Sequence, residues 1–401
     1  MPRRADSVAT EAPPLLIPGR PFAPDTLHKS AAQKARTFYE HGLQLEHDGL
    51  PEPALASFRN AAGLDPTIPG VYAHIGQIYE AFGALTEAAQ AYAEEVRRHP
   101  ANRDATRSLG LTLVRLGETE RGIQHLELLV RSNTRDGASW RALGYAYTHV
   151  KRWADAEKAL RTAIALPPED AEEYRDLGVL LANRGREAEA RTLYAKAARL
   201  DPHDASVFVN LGNLEMRAGR PEQALVQYRE AEVRDSSYAM AYRAEVGALQ
   251  ALGRDDAIGD TYRRWLRRAP DDEDARLEAV QYFVQKGRRD VALETGRDGV
   301  RRNPRSAFAR MTLGVAEAGA GDTRAALGSL RWAEGVASAT DQPEVTGQSR
   351  ALINELKAGA PDSLRSLFVA DSLAIAAAAA RRDSLQRLGP GVTPLSSKKR
   401  R

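Results

Sequence analysis

Four arginines fall at one position of a 34-residue period: Arg107, Arg141, Arg175 and Arg243, with Val209 breaking the row. A second set, Arg115, His149, Asn183 and Arg217, repeats at the same interval, and Tyr145 and Asn213 lie between the two. Guanidinium groups spaced along one surface can take carboxylates in bidentate fashion. The chemistry this offers is capture of an extended acidic segment or of the terminal carboxylate of another polypeptide. A local alternative stands beside it. Asp104 and Glu172 precede Arg107 and Arg175 by one helical turn, so those arginines can pair within their own helix on a solvated surface. At the other end of the repeat region Glu40, Glu46 and Glu80 provide the opposite charge.

Other chemistry finds little to stand on. The sequence has no cysteine, which excludes disulfides, thiolate metal sites and cysteine nucleophiles. Its eight histidines do not cluster; His41 and His47 share a segment but are six apart, on different helix faces, whereas a metal pair wants three or four. Aspartates and glutamates follow surface positions, with no isolated buried pair suited to acid–base work. The glycines recur as turn and packing positions, not as a phosphate-binding loop. We therefore expect no enzyme, no cofactor and no bound metal. A net charge of +3 is too small for a polyelectrolyte binder. Forty-eight arginines against nine lysines, with abundant alanine, is a composition associated with GC-rich bacterial genomes.

The arginines are positioned by a repeat. Residues 171–204 hold two amphipathic helices around Gly185, ended by Asp201-Pro202, and the pattern returns 34 residues away in either direction. Units begin at Ala35, Pro69, Arg103, Gly137, Ala171, Ala205, Ala239, Glu273 and Ala307. A small residue recurs in the first helix (Gly42, Gly76, Gly110, Gly144, Gly178, Gly212, Gly314) where two helices can approach closely. Another glycine sits in the turn of each unit except the fourth, which has Lys151. Alanines such as Ala156, Ala190 and Ala224 mark the close contact of the second helix, and Pro168, Pro202 and their equivalents stop it. One unit cannot bury its apolar stripe alone, so the units must stack.

This distribution resembles the tetratricopeptide repeat, over about residues 35–340. The resemblance implies an all-α fold, a right-handed α-solenoid or superhelix of stacked helix–turn–helix repeats whose first helices line a concave groove. On that basis Arg107, Arg141, Tyr145, Arg175, Asn213, Arg217 and Arg243 are the expected groove residues. The carboxylate clamp of some members is not carried over: in its slots this protein has Arg175, Val179, Asn210, Met240 and Ala244, of which only Arg175 and Asn210 fit. Glu95, Val246, Val280, Gly296 and Gly299 depart from the pattern. Two mid-helix glycines and missing side chains predict repeat eight to be the loosest joint.

The expected organisation is a Pro-rich disordered leader over 1–25, a solenoid over 26–340, capping and C-terminal helices over 341–388, and a disordered basic tail over 389–401. With only Leu15-Leu16-Ile17 as an apolar stretch, the leader reads as no secretory signal, hence a cytoplasmic protein, or a periplasmic one if the true N-terminus carries a signal not present here. The expected function is a non-catalytic scaffold or adaptor holding a protein or peptide segment, acidic in character. The alternative is attachment to nucleic acid or a membrane surface through Lys398–Arg401, which so few phosphate contacts would make weak. The double reversal Arg141→Glu with Arg175→Glu is expected to weaken capture without unfolding the array.

Overall fold

The computed structural model describes residues 30–358, and among these every regular element is an α-helix. The leader over 1–25, a second C-terminal helix over 362–388 and the basic tail over 389–401 lie outside the described residues. The described residues divide between Thr134 and Arg135 into two compact bodies. The first holds α1 (Ala31–His47), α2 (Pro51–Leu64), α3 (Val71–Ala81), α4 (Leu85–Arg98), α5 (Arg103–Arg115) and α6 (Thr119–Ser132). The second holds α7 (Gly137–His149), α8 (Trp153–Ile164), α9 (Ala171–Asn183), α10 (Glu187–Leu200), α11 (Ala205–Arg217), α12 (Pro221–Arg234), α13 (Ala239–Ala251), α14 (Asp255–Arg268), α15 (Glu273–Gln285), α16 (Arg289–Arg302), α17 (Ala307–Gly319), α18 (Thr323–Ala339) and α19 (Pro343–Ala358).

Each odd helix from α1 to α17 packs on the even helix that follows it, and α19 covers α18 and α17 at the end of the stack. The boundaries follow from local chemistry. Asn102, Asp136, Asp170, Asp204, Asp272 and Ser306 each accept a hydrogen bond from an otherwise unpaired backbone N–H at the start of a first helix. The turn after the first helix needs a left-handed residue. Gly185 supplies it at φ 76°, and in the fourth repeat Lys151 adopts the same region at φ 60°.

Helix pairs close through a small-against-large contact sixteen residues apart. A Cβ on Gly178 would lie 2.5 Å from the Tyr194 ring, and one on Gly42 would lie 2.6 Å from Phe58. The ring occupies the space that glycine leaves, so neither position can be exchanged alone. In the eighth repeat the sizes at these two positions are exchanged: Val280 is fully buried and Gly296 faces the backbone of α17, where an added Cβ would lie 3.1 Å from Leu313 Cα. The nearby Gly299 abuts the Arg276 side chain. Arg276 stands where six of the other eight repeats carry an aromatic residue. It is 3% exposed, donates to Thr295 O at 3.2 Å and pairs with Asp298 at 3.0 Å. The packing expected to be missing beside these glycines is therefore present, supplied by a buried arginine and by the next helix.

Candidate functional site

Within the second body the first helices of successive repeats touch one another: α7 with α9, α9 with α11, α11 with α13, and α15 with α17. Consecutive second helices do no more than graze. The first-helix face is thus continuous from α7 to α13 and again from α15 to α17, while the second-helix face opens into wedges.

The arginine row lies along the first-helix joints and is engaged internally. Arg141 is 4% exposed; its Nη1 lies 2.6 Å from Glu172 Oε2 and 3.3 Å from Asp176 Oδ2, both on the next repeat. Arg175, also buried, reaches Asp204, the N-cap of α11, at 2.6 Å. Arg243 Nε donates to Glu278 Oε1 of the next repeat at 2.7 Å. In the first body Arg107 pairs with Asp104 one turn away, and Arg115 crosses back to Glu80 at 2.7 Å. Burial works against the charge of Arg175, but Asp176 and Asp204 outweigh it and hold its pKa above the ordinary value. The same balance, with Glu278 as partner, raises Arg243. On Glu172 and Glu278 burial wins instead, and both carboxyls titrate above the usual range.

The remaining expected residues divide in the same way. Tyr145 is 5% exposed and meets the His149 ring edge-on, with centroids 4.5 Å apart. Arg217 donates from Nη1 to Ala182 O at 2.7 Å and from Nη2 to Asn183 Oδ1 at 3.2 Å, so it caps the C-terminal end of α9 with a cation. Asn213 Oδ1 accepts from Tyr228 Oη at 2.8 Å, and its amide nitrogen has no partner among the described residues. One turn earlier, Asn210 forms no side-chain hydrogen bond with the described residues. Partly buried Met216 and Met240 pack against the core on α11 and α13. The expectation that Arg141 and Arg175 can be reversed without unfolding the array is therefore corrected: both are buried and each already holds carboxylates. The acidic residues at the other end are used as well, Glu46 by His74 and Glu80 by Arg115, Thr112 and Tyr92.

Sequence reasoning also missed the buried carboxylates. Glu95, Glu173, Asp176, Glu215 and Glu245 are all buried, contrary to the surface pattern expected of acids. Glu95 accepts from Gly70 N at 2.8 Å and from the N-cap Asn102 at 3.0 Å, tying two repeats together. Glu173 is held against Gly137, where an added Cβ would force its carboxylate to shift. Burial, then the charge of Asp170, pushes its carboxyl up to about 7 against the pull of Arg141. Its folded pKa exceeds the unfolded one, so its contribution is most favourable below about pH 4.5 and is lost as pH rises through about 7. Glu173→Gln is expected to stabilise the protein by on the order of 1–3 kcal/mol at pH 8 and by almost nothing at pH 4. Urea unfolding of both proteins at the two pH values checks this; an equal difference at both would refute it.

The family model described as tetratricopeptide repeat matches residues 39–103, 107–171, 141–205 and 209–273, more than half of the sequence. Among curated proteins, a probable UDP-N-acetylglucosamine–peptide N-acetylglucosaminyltransferase SPINDLY of Hordeum vulgare is 29% identical over 119 residues. That match covers 28% of this protein and spans only 13% of the relative's length. Solved structures similar to it include a tetratricopeptide repeat protein from Parabacteroides merdae (17% identity, 61% of this protein and 96% of that one, TM-score 0.49). Another is MamA from Desulfovibrio magneticus (20% identity, 43% and 98%, TM-score 0.39). YrrB, described as having an unusual peptide-binding site, is 21% identical over 47% of this protein and 97% of its own length, with a TM-score of 0.34. No helix among the described residues is long and apolar enough to cross a membrane.

Proposed function

Because the protein belongs to the tetratricopeptide repeat family, we propose that it is a non-catalytic scaffold that holds an extended segment of a partner protein against the first-helix face of repeats six and seven. The observation that carries this reading is the pair of amides on α11. Asn210 and the amide nitrogen of Asn213 stand one turn apart, and the described fold makes no use of them. Side-chain amides can satisfy both N–H and C=O of an extended backbone. Met216 on the same helix and Met240 on α13, both partly buried, offer adaptable apolar surface. A segment bound here is read mainly through its backbone and apolar side chains, since the arginines of the row are committed to internal carboxylates.

A photoreactive benzoylphenylalanine placed at Asn210 should give a discrete protein adduct in cells. The same group at Val226, which is 63% exposed on α12, should give none. Adducts at Val226 without any at Asn210 would place the binding face elsewhere. The alternative role for Lys398–Arg401 falls outside the described residues, and no structural observation favours it.

A further inference from the structure

The wedges between consecutive second helices are a consequence of packing and recur along the stack, but their linings differ. Between α2 and α4 the wedge is lined by Arg59, Tyr72, Tyr79, Glu87 and Glu94 among others, and Arg59 donates to the Tyr79 hydroxyl. Between α14 and α16, Arg276, Arg301 and Arg302 pair with Glu294 and Asp298, and Arg263 with Asp260; Arg267, which lines this wedge and the preceding one, is the lining arginine there that pairs with no carboxylate among the described residues. The wedge between α12 and α14 is different. It encloses about 930 Å³ and gathers Arg229, Arg264, Arg267 and Arg268 over a floor that includes Tyr242 and Glu232.

Among the described residues, two of these four arginines are satisfied internally. Arg229 Nε donates to Glu245 Oε1 at 2.8 Å, and Arg264 contacts both Glu245 and Glu232. Glu245 is fully buried and also accepts from Thr261 Oγ1 at 3.1 Å. Burial opposes its charge, but hydrogen bonds from Glu232 and Arg229 and the nearby Arg264 hold it ionised below the usual range. Burial and the adjoining Glu245 push Glu232 up to about 7, so the proton of this pair sits on Glu232. The floor then offers fewer than two full negative charges at neutral pH, against four guanidinium groups. Arg267 and Arg268 are exposed and pair with no carboxylate among the described residues. They lie in the last turn of α14, where the helix dipole favours cations, but a dipole supplies only about half a charge. At the rim Val233 is 77% exposed.

We propose that the wedge between the second helices of repeats six and seven is a binding site for a carboxylate-rich peptide segment of a partner, separate from the first-helix face. The arginines there already grip carboxylates in the form of Glu245 and Glu232, so the geometry suits that group. The volume and the apolar rim at Val233 suit a segment with side chains, larger than a mineral anion.

The test is fluorescence anisotropy on the full-length protein with a fluorescein-labelled Glu/Leu peptide of about ten residues. The wild type should bind. Arg267→Glu with Arg268→Glu should weaken binding about tenfold or more. The charge-matched control Arg289→Glu with Arg305→Glu, at exposed arginines that do not line the wedge, should change it less than about twofold. Asn210→Ala with Asn213→Ala should leave it unchanged, which separates this site from the first-helix face and lets either reading fail alone. The proposal is overturned if the wild type does not bind, if both charge reversals weaken binding equally, if the asparagine variant loses the peptide too, or if inorganic phosphate displaces the peptide at the peptide's own concentration. Circular dichroism of each variant confirms that exposed substitutions have left the helices intact.

Discussion

Arg141→Glu is expected to unfold the joint between repeats four and five, at a cost of on the order of 4 kcal/mol. The new carboxylate would enter a site where Glu172 and Asp176 already stand at 2.6 and 3.3 Å from the guanidinium, with Glu173 close enough to feel its charge. Glu172 would lose its partner at 2.6 Å, Asp176 would keep only Arg175 at 3.5 Å, and a further acid would be added beside them. Removing one partner of a buried pair costs more than the pair itself contributes, because the survivor stays desolvated. The loss should therefore be nearly as large in Arg141→Met, which keeps most of the volume and removes only the charge. Urea unfolding gives the size, and hydrogen exchange places it: α7 and α9 should lose protection first. A variant with the wild-type midpoint would mean that Arg141 is solvated and available to a partner after all.

Trp265→Ala is expected to cost about 3–5 kcal/mol. The ring is fully buried and lies nearly parallel to Tyr242, with centroids 5.5 Å apart, and to Tyr262 at 6.3 Å. Arg243 sits over it at 5.1 Å. Its Nε1 donates to Asp272 Oδ2 at 3.1 Å, and the other oxygen of that carboxylate caps α15 through Ala275 N. One side chain thus fills the core of repeat seven and fixes the start of repeat eight. Trp265→Phe keeps most of the packing and should cost clearly less than the alanine variant. Equal losses in the two variants would assign the effect to the Asp272 hydrogen bond alone.

These two residues show what could be read from the sequence and what could not. The helices, their glycine turns and the close approach at Gly178 were legible because each depends on residue type and repeats at a fixed interval; that the Tyr194 ring fills the space Gly178 leaves was not. The same periodicity made the arginines conspicuous as a row but hid their partners. Arg141 meets Asp176, Arg243 meets Glu278, and Arg115 meets Glu80, in each case 35 residues away, one repeat plus one position. A search for opposite charges at that offset would have found them; a search within one helix could not. Glu173 stayed hidden because an acid in the first turn of a helix is ordinarily a solvated complement to the dipole, and only its placement against Gly137 makes it buried. The eighth repeat misled for a related reason. Gly299 looks like a lost side chain until Arg276, from a different helix, is seen in its space.

The one-repeat-plus-one pairing also bears on how such a gene can change. Excising a single repeat, or splicing in one from elsewhere, would join a guanidinium to whatever residue the newcomer carries at the receiving position. Where that residue is not acidic, the product inherits an uncompensated ion beneath the surface. The region from α7 to α15 is therefore expected to resist shuffling and length variation, even though its modular appearance suggests the opposite.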